Sequence, residues 1–323
     1  MNRVSAAGPS RFGDEHRPWL DALVAAGPPP RGFHLPELTQ ASAVLDELGV
    51  ERRDAAEIIA AWPGPVRDSE LWWLLERAYH LLVRDIGGID VLRAPSLPGS
   101  FGAAGRFFWT YVFLAALGDV REYHERRGIP REVSDTTLAD LGRNLSRDRR
   151  LFGEGGLRTH GWLTLHFRGA IYELGRLQFN RMHVRATETG PGGPREGDHA
   201  LGVHIPEGGQ LASASCDASF GRAREFFARH FSETPARIAI CTSWLLDEQL
   251  ADYLEPGSNI LRFQRRFRVI GGYEADADIL RFVFGRIAPA LDELPERTTL
   301  ERAVVAHLRA GKHWRNGTGW LEL

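Results

Sequence analysis

The 323-residue chain is 43% hydrophobic, enough for a substantial core, and its length fits about two domains. Its 40 basic and 42 acidic residues nearly cancel, and no dense basic run with interleaved aromatics occurs, so charge gives no reason to expect a nucleic-acid partner. The two cysteines, Cys216 and Cys241, are too few for a disulfide framework, and the N-terminal residues hold no apolar core of signal-peptide type, which predicts a cytoplasmic protein.

Up to residue 152 the apolar residues recur at helical spacing: "RPWLDALVAAG", "LPELTQASAVLDELGV", "RRDAAEIIAAW", "DSELWWLLERAYHLLVRDIG", "AAGRFFWTYVFLAALGDVREYHERRG" and "DTTLADLGRNLSRDRRLF", with Pro and Gly clusters between them. Residues 1–152 are expected to form a helical domain. Asp68 or Ser69 is placed to cap the fourth helix and Ser134 the sixth. The longest apolar run, "FFWTYVFLAAL" at 107–117, is about half the length a membrane span needs, so it reads as a buried helix and no membrane segment is expected. Trp72, Trp73, Phe107, Phe108, Trp109 and Tyr111 either pack as core or line a ligand tunnel.

The period changes in residues 153–323. "RTHGWLTLHFRGAIYELG" still reads as a helix, with Gly175 as its cap, but "RLQFNRMHVRAT" alternates as a strand does. A polar, turn-rich connection leads to a second strand at 201–205, and the two predict an antiparallel hairpin of 176–187 with 199–205. Beyond a loop holding Gly208 and Gly209, Phe220, Ala223, Phe226, Phe227 and Phe231 mark an amphipathic helix. Next come a buried strand, "ARIAICTSWLL", a short helix, "DEQLADYL", and a strand, "NILRFQRRFRVIG". Two helices, "DADILRFVFGRIAPALDEL" and "TLERAVVAHLRAG", and a strand at "GWLEL" close the chain. The expected class is α+β: a helical N-terminal domain, then a mixed, largely antiparallel sheet flanked by helices.

A strand that turns through two glycines into a helix can present backbone N–H groups to an anion, because the first helical turn has donors without intrahelical partners. The alternative is that Gly208 and Gly209 only make a tight turn. His204 alternates away from Val203 and Ile205, and its ordinary pKa suits a general base; the other reading is a structural His bonded to backbone. Cys241 either packs in the strand core or acts as a nucleophile beside His204. The histidines show neither HExxH spacing nor partnered cysteines, so no metal is expected.

The order strand pair, strand, loop, helix, strand, short helix, strand resembles the central part of the GNAT acyltransferase fold. The strings "YELGRLQFNR" (172–181), "HIPEGGQL" (204–211), "CDASFGRAREFFARHF" (216–231), "CTSWLLDEQLADYL" (241–254) and "SNILRFQRRF" (258–267) are similar to a bacterial two-domain family with a helical N-terminal domain and a GNAT-like C-terminal domain. The resemblance implies acyl transfer from a thioester to an amine by direct attack. Acyl-CoA or an acyl-phosphopantetheine on an acyl carrier protein would be the donor, and an amine of a small molecule or peptide the acceptor. It implies a donor site at Ile205, Gly208, Gly209, Gln210, Leu211, Ser243 and Trp244, with a backbone N–H near His204 or Ile205 polarising the thioester carbonyl. His204 would be the base, Tyr253 the acid that protonates the leaving thiolate, and Glu173 a second base reached through water. Glu173, Arg176 and Gln178 would either contact the acceptor or only pair with one another at the surface. One departure stands out: the family loop resembles Gln/Arg-x-x-Gly-x-Gly/Ala, whereas here no basic residue leads the loop and Glu207 lies inside it. The alternative function is a catalytically silent module that binds an acylated ligand or carrier protein.

Overall fold

In a computed structural model, residues 11–190, 192–287 and 289–323 are described. The chain divides into two compact units, one ending at Ala170 and the other running from Ile171 to Leu323.

The first unit is helical: α1 (Arg17–Ala26), α2 (Leu38–Glu47), α3 (Arg52–Ala60), α4 (Ser69–Val83), α5 (Gly102–Arg106), α6 (Phe108–Arg126), α7 (Arg131–Leu138), α8 (Asp140–Phe152) and α9 (His160–Phe167). Its core is built on α6, where Phe108, Trp109, Tyr111, Phe113 and Val120 are buried against Leu71, Leu74, Leu75, Ala78 and Leu82 of α4. The buried aromatics keep their polar atoms bonded: Tyr111 Oη donates to Ile58 O (2.8 Å) and Trp109 Nε1 to Pro95 O (3.1 Å). Residues 99–126 are long and apolar enough to cross a membrane, but their apolar window is 61% buried inside the protein, as a core helix is. Two local expectations are corrected. Asp68 occupies the cap position of α4 yet accepts from Gly64 N (2.9 Å), and Ser134 lies within α7, its hydroxyl 2.8 Å from His124 Nδ1.

The first unit also extends past the expected boundary at 152, because α9 packs into it. Phe167 stacks on Phe113 (4.5 Å) and His160 on Trp109 (5.1 Å). The helix expected to continue to Gly175 stops instead at Gly169 (φ 64°), where Ala170 N bonds Leu165 O and Gly169 N bonds His166 O. These two bonds satisfy the last carbonyls and turn the chain out of the helix. Residues 171–173 are therefore a strand.

The second unit is a six-stranded sheet: β1 (Ile171–Glu173), β2 (Gln178–His183), β3 (His199–His204), β4 (Ile238–Ser243), β5 (Arg268–Glu274) and β6 (Arg315–Glu322), in the order β1-β2-β3-β4-β6-β5. The expected β2–β3 hairpin forms, with Gln178 opposite His204 and Asn180 opposite Gly202. Among the described strands only β3 and β4 run parallel, joined by α10 (Ser213–His230). Phe220 of α10 meets Phe179 (5.6 Å) and Phe226 meets Tyr172 (4.8 Å), which assigns Tyr172, Phe179 and Val203 to the face under α10. Period-2 alternation puts Glu173, Gln178, Asn180, Gly202 and His204 on the opposite face.

The segment read as the strand "NILRFQRRFRVIG" splits. Ser258 Oγ accepts from Leu261 N and caps a short helix, α11 (Asn259–Gln264), which buries Leu261 and Phe263; extended structure begins only at Arg268. Two 3-10 turns, Trp244–Leu246 and Glu248–Asp252, replace the expected short helix. Helices α12 (Asp276–Phe284) and α13 (Thr299–Arg309) precede β6, which is longer than expected and lies between β4 and β5.

Candidate active site

Strands β3 and β4 pair at Leu201↔Ala239 and Gly202↔Ile240, and then part. β3 continues to His204, still paired with β2, and β4 to Ser243, still paired with β6. A wedge thus opens between the carboxyl ends of two parallel strands, where α/β sheets present ligand sites.

His204 borders this wedge. Across the sheet face it is followed by Gln178 on β2 and Glu173 on β1, and Gln178 Nε2 donates to Glu173 Oε2 at 3.1 Å. Adjacent strands lie about 4.8 Å apart, so the backbones of His204 and Glu173 are roughly 10 Å apart, a distance a side chain and a water can bridge. His204 Nε2 lies 2.7 Å from Asn180 Oδ1. Asn180 was missed in the sequence, although its place two residues after Gln178 on an alternating strand already puts it on this face.

Cys241 belongs to the opposite face, with Ala239, and is only 1% exposed. Burial pushes its thiol up to about 12, which leaves almost no thiolate at neutral pH. Cys241 is a core residue, and the nucleophile reading falls.

The loop after β3 is organised by Arg176, which reaches it from the β1–β2 turn. Its guanidinium donates to the carbonyls of Pro206 (3.0 Å), Gly209 (3.3 Å) and Gln210 (3.2 Å). Across a trans peptide a C=O and the next N–H point opposite ways, so the N–H groups of Glu207, Gln210 and Leu211 face away from Arg176. The curl that permits this uses Gly208 and Gly209, with φ of 88° and 69°. Leu211 is buried beneath the loop, while Glu207 and the glycines are exposed. Arg266, from the segment after α11, donates to both Ser213 O (3.1 Å) and Ser213 Oγ (2.6 Å) in the first turn of α10 and pairs with Asp217. Two guanidinium groups that are distant in sequence therefore flank a loop that has no basic residue of its own. Arg176 has a loop-holding role where an acceptor contact was expected, and Arg266 was not anticipated.

The other expected residues serve different clusters. Tyr253 Oη is 3.0 Å from His307 Nδ1, and His307 Nε2 faces the carbonyl of His313 (3.3 Å). A carbonyl only accepts, so Nε2 carries the proton, Nδ1 accepts, and the Tyr253 hydroxyl donates to it. Tyr253 also packs on Trp314 (5.8 Å), and Trp244 joins the same apolar cluster. Ser243 Oγ accepts from Leu245 N at the start of the turn after β4. On the His204 side, exposed Thr242 bonds Thr318 (2.9 Å) just beyond the wedge. Among the described residues no group of three or more His, Cys, Asp or Glu is arranged to hold a metal ion.

Residues 39–169 match the N-acyltransferase N-terminal domain family, and residues 171–321 match the GNAT-like C-terminal domain family. A solved acyltransferase in complex with decanoyl-CoA is 46% identical, covers 97% of each chain and superposes with a TM-score of 0.91. An acyltransferase in complex with decanoyl-CoA and teicoplanin, and a mutant in complex with octanoyl-CoA, are each 43% identical, covering 97% of this chain and 96% of theirs, with TM-scores of 0.90. The chain belongs to this two-domain N-acyltransferase family. No curated protein matches it. Membership makes the chain an acyltransferase of GNAT type, and the two matched segments meet where the compact units divide.

Proposed function

We propose that the protein transfers a medium-chain acyl group from acyl-CoA to an amine of a small molecule by direct attack. The parting of β3 and β4 beyond Gly202 and Ile240 carries the reading, because it opens a slot for a thioester beside a histidine. Pantetheine would lie in the wedge, and a backbone N–H at His204 or Ile205 would polarise the thioester carbonyl. The amine is mostly protonated at neutral pH, so a base must take its proton. His204 is that base, and Glu173, held by the Gln178 amide on the same sheet face, takes the proton on through water. The outward N–H groups at Glu207, Gln210 and Leu211, with the first turn of α10, would cradle the pyrophosphate. Arg176 supplies positive charge that the loop sequence lacks, and Arg266, paired with Asp217, holds the first turn of α10 through Ser213.

The donor is taken as acyl-CoA over a carrier-bound acyl group because the similar structures hold octanoyl-CoA, decanoyl-CoA or CoA. Teicoplanin is the first acceptor to try, since similar acyltransferases were solved with teicoplanin and with 10C-teicoplanin. The test follows thiol release from decanoyl-CoA with teicoplanin or a panel of primary amines, and product mass. Acceptor-dependent release with an acylated product is expected. Tight decanoyl-CoA binding with no turnover on any amine would favour a silent binding module.

A further inference from the structure

We infer that Asn180 is a positioning residue that fixes the tautomer of His204, and that Gly202 exists to give Asn180 room. The inference rests on His204 acting as base. The chain of donors and acceptors starts at a backbone carbonyl. Arg181 O can only accept, so the group 3.0 Å away on Asn180 is Nδ2, which donates to it. That orientation points Asn180 Oδ1 at His204. An amide oxygen also only accepts, so His204 Nε2, at 2.7 Å, carries the hydrogen. The lone pair of the neutral ring is then on Nδ1, and Nδ1 is the nitrogen that takes the amine proton. A partner that holds one ring nitrogen as donor sets both the tautomer and the ring angle. When Nδ1 is protonated, the Nε2–H bond to Oδ1 strengthens, so Asn180 also favours the imidazolium.

Gly202 lies directly opposite Asn180 in the β2–β3 register. A Cβ on Gly202 would sit 2.2 Å from Asn180 Oδ1 and 3.1 Å from Asn180 Cγ. The backbone of Gly202 is ordinary strand within β3, so this glycine answers a need for space and not for a turn. A methyl at 202 would push the amide off its bond to His204 while leaving His204 itself unchanged.

Two variants test this, Asn180→Leu and Gly202→Ala, with His204→Gln as reference. The readouts are decanoyl-CoA turnover against pH and the imidazole nitrogen resonances of His204, assigned from their loss in His204→Gln. In the wild-type protein His204 should show a single neutral tautomer protonated at Nε2. Both variants should lower kcat about 10–100-fold, the scale on which orienting partners of ligating histidines act. The KM for decanoyl-CoA should hold, the His204 resonances should report mixed tautomers, and the acidic limb should move to lower pH because the imidazolium loses a partner. A uniform loss of rate with an unmoved limb and an unchanged tautomer would overturn the inference, even in variants that fold and bind decanoyl-CoA normally. If His204→Gln itself keeps the wild-type rate, the base assignment fails first. If His204→Gln is impaired while Asn180→Leu and Gly202→Ala behave as wild type, only the positioning role fails.

Discussion

Replacing Arg176 by Met keeps a long apolar stem and removes the guanidinium that gathers the carbonyls of Pro206, Gly209 and Gln210. Each of these bonds joins a charged donor to a carbonyl near solvent, so each is worth about 0.5–1 kcal/mol. Their sum, about 2 kcal/mol, is the cost the variant meets when the loop must be ordered around the donor. That corresponds to roughly 30-fold weaker acyl-CoA binding. Arg176→Lys keeps the charge, but a single ammonium cannot span three carbonyls, so an intermediate loss of about 5-fold is expected. Calorimetric titration with decanoyl-CoA at fixed ionic strength measures both, and thermal melting checks that the fold survives. If Arg176→Met binds decanoyl-CoA as the wild type does, the loop holds its shape without the guanidinium and this account of the departure from the family loop is wrong.

Gly208→Val and Gly209→Val force a β-branched residue to positive φ at a cost of about 1–3 kcal/mol each, so each should lower the melting temperature by a few degrees and weaken decanoyl-CoA binding. Unchanged calorimetric affinity would mean that the two glycines only shape a turn. Cys241→Ala should keep its activity, and intact-mass analysis of the protein with decanoyl-CoA should show no acylated enzyme, since the thiol is neutral and buried. A rate loss beyond 100-fold, or a covalent adduct, would restore the nucleophile reading. In the first unit, burial pushes His124 down from 6.5 to about 4, so between these pH values the unfolded chain binds a proton that the folded one does not. Stability is then fully present above pH 6.5 and lost as pH falls toward 4, by roughly 3 kcal/mol at most. Urea unfolding across this range should show the loss, and His124→Gln should flatten it; equal slopes would exclude His124 as the source.

The sequence was most legible where one physical period ran unbroken. The helical character of residues 17–152, the β2–β3 hairpin and α10 follow from apolar spacing, and His204 from alternation along β3, although two of the expected helices each split, at Phe107 into α5 and α6 and at Ala139 into α7 and α8. Reading failed where a short local signal overrode a longer pattern. Gly169 ended α9 and released a three-residue strand that looked like more helix, and Ser258 capped a helix in a segment rich in strand formers. The site was legible in part: alternation put His204 and Gln178 on paired strands, whereas Glu173, expected in a helix, joins their face only because residues 171–173 form β1. Arg176 and Arg266 could not be assigned to the loop because their reach depends on how distant segments pack. Asn180 could have been found, since the hairpin register sets it opposite a glycine. Tyr253 was placed by position after a strand, and the packing of α13 and Trp314 gave its hydroxyl another partner.

The central claim is that a thioester held between the parted strands reacts with an amine whose proton His204 removes. The measurement that meets it most directly is kcat/KM for decanoyl-CoA against pH, for wild type and His204→Gln, with the best acceptor from the amine and teicoplanin panel. Gln keeps hydrogen-bonding capacity and loses the titration. A fall of about 10²–10⁴ with disappearance of the acidic limb is predicted. A wild-type rate with an unaltered profile would contradict it and shift the base to a water chain ending at Glu173.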